Sequence, residues 1–235
     1  MSEKNPIQVS DRIFRTIELL ARSGPSGLLD ISNELELNKS TVHRILNSLI
    51  CMDYVKQDPD TSKYSLTFKI CSLSNQVLSH NSLIDIARPY IQDLAEQTGE
   101  TVHLVQMEGI NAVYIDKVEA PHNSVRMVSM IGKTIPLYCS GVGKAILADM
   151  DDDQIRQIWD QSVIGAIRNN GYSMDNEEME IGVRCIAVSL GCVHHKLPYA
   201  ISISAPKDRM KDKQITQYKK LLLNTKKQLL AELGQ

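Results

Sequence analysis

Two short stretches with helical periodicity, separated by only three residues, constrain this chain more than any other feature. Residues 30–35 place Ile31 and Leu35 on one side, Glu36-Leu37-Asn38 follow, and from Lys39 a second run sets Val42, Ile45, Leu46 and Leu49 at i, i+3, i+4 and i+7. That spacing is one apolar face of a helix. Asn38 is placed to cap it, its side-chain oxygen accepting a first-turn amide. Two helices joined this tightly have the spacing of a helix-turn-helix. Burying the stripe leaves Lys39, Ser40, Thr41, His43, Arg44 and Asn47 facing outward, a set rich in hydrogen-bond donors.

The flanking sequence completes a small domain. Residues 9–21 put Ile13, Ile17, Leu20 and Ala21 at helical spacing, and Gly24-Pro25-Ser26-Gly27 ends that helix. Residues 54–57 and 63–66 read as short strands around the turn-forming segment Asp58-Pro59-Asp60-Thr61-Ser62, which predicts a wing. A linking helix over 68–80 carries Ile70, Leu73 and Val77, and Asn81-Ser82 open another that runs to Gly99. Beyond it, apolar runs at 101–107 and 111–118 flank Glu108-Gly109-Ile110 as an antiparallel hairpin. Helices are expected over 140–150, 151–160 and 207–233, and strands over 183–190 and 199–204. The chain therefore divides into 1–67, a linker at 68–81, and an α+β domain at 82–235, and its 235 residues suit two cores.

Composition narrows the classes. No window approaches the run of roughly 18 apolar residues that a membrane helix needs, and the polar start MSEKNPIQVS lacks a secretory pattern, so a cytoplasmic location is expected. Five scattered cysteines with no C-x-x-C pair argue for reduced thiols rather than a disulfide framework or zinc site. Cys192, His194 and His195 could suggest a metal, but adjacent histidines in a strand point to opposite faces, so no metal and no cofactor is expected. A net charge of −2 gives no bulk attraction to nucleic acid; any DNA binding must be local. No G-x-S-x-G, H-E-x-x-H or G-x-G-x-x-G motif is present, and Cys139 with His103 is not a supported pair, so no catalytic residue is assigned.

The octad Lys39-Ser40-Thr41-Val42-His43-Arg44-Ile45-Leu46, with a wing ending Tyr64-Ser65-Leu66, resembles the IclR family of regulators. Further matching segments are Ser140-Gly141-Val142-Gly143-Lys144-Ala145-Ile146-Leu147-Ala148, Gly171-Tyr172-Ser173-Met174-Asp175, Gly182-Val183-Arg184-Cys185-Ile186-Ala187 and Ala200-Ile201-Ser202-Ile203-Ser204-Ala205-Pro206, so the resemblance covers nearly the whole chain. It implies an α+β protein, with an N-terminal winged helix-turn-helix and a C-terminal GAF-like α/β effector domain built on a mainly antiparallel sheet. Two departures stand out. Glu36 occupies a turn position where the family usually has glycine, and a left-handed conformation there costs about 1 kcal/mol. The connection Gln161-Ser162-Val163-Ile164-Gly165 is shorter than the family's usual stretch.

A helix in the major groove reads base edges with polar and guanidinium side chains near its N-terminus, while phosphate contacts set register. Lys39, Ser40 and Thr41 suit phosphates, and His43, Arg44 and Asn47 reach bases, Arg44 pairing bidentately with guanine; Lys56 and Lys63 on the wing suit the backbone, or are only solvated charges. The resemblance places effector contacts at Met127, Ile135, Gly141, Val142, Asp175, Cys185, Ser202 and Ser204. From the residues alone, Met127 and Ile135 are equally core, Cys185 a buried thiol, and Gly141 and Gly143 turn residues. Ser202 and Ser204 alternate in one strand and share a face. The resemblance further implies a repressor of a catabolic operon, answering to a small organic acid or sugar acid. It would act as a homodimer or a homotetramer built as a dimer of dimers, on the double-stranded DNA of a palindromic operator, without a membrane. The alternatives are a winged-helix protein-interaction module, a small-molecule enzyme using the second domain, or a DNA-bridging protein with a vestigial sensor.

Overall fold

The stripe Val42, Ile45, Leu46 and Leu49 is buried, and it organises the first of two compact units, Met1–His80 and Asn81–Gln235. In the computed structural model, residues 6–120, 127–151, 155, 164–193 and 197–235 are described. The first unit contains α1 (Gln8–Ser23), α2 (Leu28–Leu35) and α3 (Lys39–Cys51), then a hairpin of β1 (Val55–Gln57) and β2 (Tyr64–Leu66), and α4 (Lys69–Ser79). Leu19, Leu20, Ile31, Leu35, Val55 and Tyr64 close its core around the α3 stripe. Ser26 and Tyr64 exchange backbone hydrogen bonds, which ties the α1–α2 loop to the wing.

The tight α2–α3 connection needs one left-handed residue, and Glu36 supplies it at φ 55°, ψ 38°. The Leu37 amide then bonds the Ser32 carbonyl at 3.0 Å, while the Ser32 hydroxyl donates to the Leu37 carbonyl. Asn38 stands at the N-cap of α3 in extended conformation, but its side chain caps nothing; its carbonyl accepts from Thr41 and Val42 instead. At the tip of the wing, Asp58 Oδ1 accepts from the amides of Asp60 and Thr61 and from the Thr61 hydroxyl. The amphipathic stripe of α4 buries no residue.

The second unit has a six-stranded antiparallel sheet in the order β5-β4-β3-β8-β7-β6. Its strands are β3 (Thr101–Glu108), β4 (Asn111–Val118), β5 (Thr134–Pro136), β6 (Ser173–Asn176), β7 (Val183–Cys192) and β8 (Pro198–Pro206). The helices are α5 (Ser82–Thr98), α6 (Gly141–Ala148), α7 (Ile164–Asn170) and α8 (Asp212–Glu232). Asn81 caps α5 by accepting from the Leu83 amide, and Gly99 ends it in the left-handed region. Strands β5 and β6 and helix α7 are too short to show a period in the sequence. The final helix starts at Asp212 rather than 207, because Lys207–Arg209 form a separate 3-10 turn. Of the helix expected over 151–160, all but Asp151 and Ile155 lie outside the described residues.

Alternation divides the sheet. Val105, Ala187 and Ala200 join α6 in one cluster, while Leu104, Ile186, Val188, Ile201 and Ile203 are equally buried with the opposite parity, on the side of α5 and α8. Gly143 fixes how closely α6 approaches: a Cβ there would overlap the backbone of Leu137. Gly143→Ala therefore forces a backbone shift, and a loss of about 1–3 kcal/mol is expected for overpacking of this kind. Urea denaturation checks it; an unchanged midpoint would show that the α6 start is loose.

Candidate functional site

On the first unit, Lys39, Ser40, His43, Arg44 and Asn47 are exposed along α3, with Thr41 partly so, and Lys56 and Lys63 are exposed on the hairpin. The helix contains no acidic residue, which makes this face cationic on a chain of net charge −2. Asn47 Nδ2 lies 3.4 Å from His43 Nδ1, so these two side chains are coupled across one helical turn. Arg44 is exposed on this face of α3.

On the second unit, a cavity of about 290 Å³ opens between α6 and the sheet. All eight residues expected to contact an effector line it: Met127, Ile135, Gly141, Val142, Asp175, Cys185, Ser202 and Ser204. The sheet register explains the grouping, since Asp175 pairs with Cys185, Cys185 with Ser204, and Ser202 with His103. At the opposite wall, Ser140 caps α6 by accepting from the Gly143 amide at 3.1 Å and donates to the Pro136 carbonyl at 2.7 Å. Gly141 and Val142, the first residues of the helix, line this cavity, and their amides have no intrahelical acceptor. A Cβ on Gly141 would touch Asp175 and Cys185, so that residue is pressed against the strand pair.

The structure adds residues that sequence reasoning missed, notably His103, Tyr114, Ser129, Lys133 and Glu180. His103 and Tyr114 stack with ring centroids 4.7 Å apart. His103 bonds Ser129 at 2.8 Å through Nε2 and Ser204 at 3.3 Å through Nδ1, and Cys185 Sγ lies 2.9 Å from the Ser204 hydroxyl. Cys139 has no part in this chain; it donates to Met179 Sδ at 3.1 Å. Only the pairing of β3 with β8 brings His103 to the serines, and no local pattern reveals which strands pair.

Burial sets the protonation states. It pushes His103 down to about 3, helped by the Lys117 cation, and pushes Cys185 up to about 12 against the hydrogen bond from Ser204. Asp175 is raised by burial, opposed by the amides of Glu178 and Met179, which donate to its Oδ1. Buried Lys144 pairs with Glu178 at 2.6 Å. No group of His, Cys, Asp and Glu placed to hold a metal occurs among the described residues, and His194 and His195 lie outside them. No described helix is long and apolar enough to cross a membrane.

A basic winged helix-turn-helix, carried on the same chain as a small cavity lined by both polar and apolar side chains, defines a DNA-binding regulator under ligand control. Residues 10–59 match the IclR helix-turn-helix domain, and residues 75–230 match the family described as bacterial transcriptional regulator IclR C-terminal. The chain belongs to the IclR family of transcriptional regulators. It is 31% identical to the HTH-type transcriptional regulator KdgR of Escherichia coli, covering 99% of this chain and 95% of that one. It is 34% identical to the DNA-binding transcriptional repressor YiaJ of the same organism, covering 99% and 91%. The crystal structure of the Thermotoga maritima IclR superposes with a TM-score of 0.82 at 26% identity, covering 97% of this chain and 99% of that one.

Between about pH 6.5 and pH 3 the unfolded chain carries a proton on His103 that the folded chain lacks. Stability contributed by this residue is therefore present above that window and falls with pH inside it, by about 1.4 kcal/mol per unit. Urea denaturation of wild type and His103→Gln from about pH 7 to about pH 4.5 should show the wild type losing ground steadily. A pH-independent difference would mean that the folded imidazole takes up the proton.

Proposed function

We propose that this protein is a repressor of a catabolic operon, released or engaged by a small organic acid or sugar acid bound in the α6 cavity. The observation that carries the ligand reading is the gathering of eight residues from six separate segments around one cavity, with the start of α6 at Gly141 and Val142 among them. A helix N-terminus favours an anion, and Lys133 adds a cation on the lining. Asp175 and the two serines accept from and donate to ligand hydroxyls. Repression is supported by the relative named as a repressor. A cytoplasmic location follows from a role at chromosomal DNA.

The regulator binds double-stranded DNA as a homodimer or dimer of dimers, its two recognition helices reading the half-sites of a palindrome. Lys39, Ser40, Thr41, Lys56 and Lys63 hold phosphates, and His43, Arg44 and Asn47 read bases. A tenfold change in operator affinity needs about 1.4 kcal/mol of differential ligand binding between two dimer geometries, within reach of a few charge-assisted hydrogen bonds.

Selection from a random duplex pool should enrich a palindrome, and Arg44→Ala should then cost about 1–3 kcal/mol at that site and relax one base preference. Wild-type affinity of the variant for cognate and scrambled duplexes alike would remove Arg44 from the base-reading set. For the cavity, thermal shifts against small carboxylates, sugar acids and aromatic acids should give a stabilising compound whose effect is lost in Asp175→Ala. A panel silent for the wild type would overturn the organic-acid reading.

A further inference from the structure

We propose that His103 is a positioning residue for ligand recognition: by holding the Ser204 and Ser129 hydroxyls in opposite hydrogen-bond polarity, it makes the cavity select acids bearing a hydroxyl group over acids without one. The inference rests on the reading of this cavity as an organic-acid site.

His103 is buried, both its ring nitrogens meet hydroxyls rather than carboxylates, and the charge that acts on it is the Lys117 cation. Among the described residues no carboxylate pairs with the ring, and burial beside a cation keeps it neutral. A neutral imidazole has one N–H and one lone pair. Whichever tautomer is present, one of the two serines must donate to the ring and the other must accept from it. The donating serine has only lone pairs left for a ligand; the accepting serine keeps its own O–H, which goes to the ligand from Ser129 and to Cys185 or the ligand from Ser204.

Cys185 accommodates either arrangement. Held as a thiol, it donates to Ser204 when Ser204 donates to the ring, and accepts from Ser204 in the reverse case, at the observed 2.9 Å. The chain Cys185, Ser204, His103, Ser129 can therefore point in two directions, but never so that both serines donate into the cavity. A protonated imidazole would allow that, and would make a plain anion site.

A carboxylate oxygen only accepts, so it satisfies at most one serine and opposes lone pairs at the other. A ligand hydroxyl donates and accepts, so it suits both. Among the described lining residues, Asp175 and Glu180 add carboxylate acceptors and Lys133 a cation. On this wall of the cavity, acceptors are completed by donors on the ligand.

The test uses the full chain and matched pairs of acids, glycerate against propionate and gluconate against hexanoate, in calorimetric titrations. The hydroxylated member should bind the wild type more tightly by roughly fivefold, the worth of one neutral hydrogen bond. His103→Leu and Ser129→Ala should erase that preference, while His103→Gln, which keeps one donor and one acceptor, should retain it. Ser129 is partly exposed, so its variant gives a readout even if His103→Leu does not fold. Equal binding within each pair by the wild type, or a preference that survives in Ser129→Ala, overturns the inference and leaves the acid site standing. If no member of any pair binds the wild type, the acid site itself falls, and the inference with it.

Discussion

The close approach of Gly143 to the Leu137 backbone governs the geometry of the second unit. Because no Cβ fits there, the first turn of α6 lies against the chain that leads into it, and Ser140 can bond both the Pro136 carbonyl and the Gly143 amide. That contact aims the helix start at β6 and β7, where the Ser173 hydroxyl reaches the Gly141 carbonyl and Gly141 presses on Asp175 and Cys185. A Cβ at Gly143 would push the start of α6 away from Leu137 and so shift the helix end that lines the cavity. The site is thus a by-product of a packing constraint, with the ligand-facing amides delivered by a glycine that faces away from them.

The lining includes polar groups in a place where they are costly, and most of them are given partners: His103 and Ser204 bond each other, while Ser140 and Asp175 bond backbone groups. His103, Ser140, Asp175, Ser202 and Ser204 are all buried, and Lys144 beside them is offset by Glu178. A buried polar group without a partner loses about 1–3 kcal/mol, so a loosely wired set of this size would threaten the fold of a marginally stable domain. Each bond that satisfies one residue also fixes the next. Asp175, for example, accepts from the Glu178 and Met179 amides and so shapes the loop that carries two other lining residues, Met179 and Glu180.

Much of this was legible in the sequence, for reasons that differ by region. The helix-turn-helix is local: the three-residue link, the α3 stripe and the turn at Asp58 are all defined within a few residues, and even the strained Glu36 was readable as the place where the link must turn. The effector residues were legible only through resemblance to a family, since Met127, Ile135 and Cys185 have no local signature that separates ligand contact from core. His103 escaped both routes, because it becomes a cavity residue through strand pairing at long range. The N-cap side chain of Asn38 failed for a simpler reason: the backbone carbonyl at the same position took the bonds. The alignment with KdgR spans 252 positions against the 235 residues of this chain, so that relative carries residues with no counterpart here. The short connection at 161–165 fits that difference, though its first three residues lie outside the described structure.

The two-residue period of β3, β7 and β8 has a consequence for how such a protein can change over time. Along each strand, residues that touch the cavity alternate with residues that hold the sheet to α5 and α8: His103 with Leu104, Cys185 with Ile186, Ser202 with Ile201 and Ile203. Neighbours in the chain therefore answer to separate selective pressures, one for what is sensed and one for staying folded. Lineages built on this sheet can exchange the cavity-facing set while the helix-facing set stays still, provided that each new buried polar side chain is given a partner.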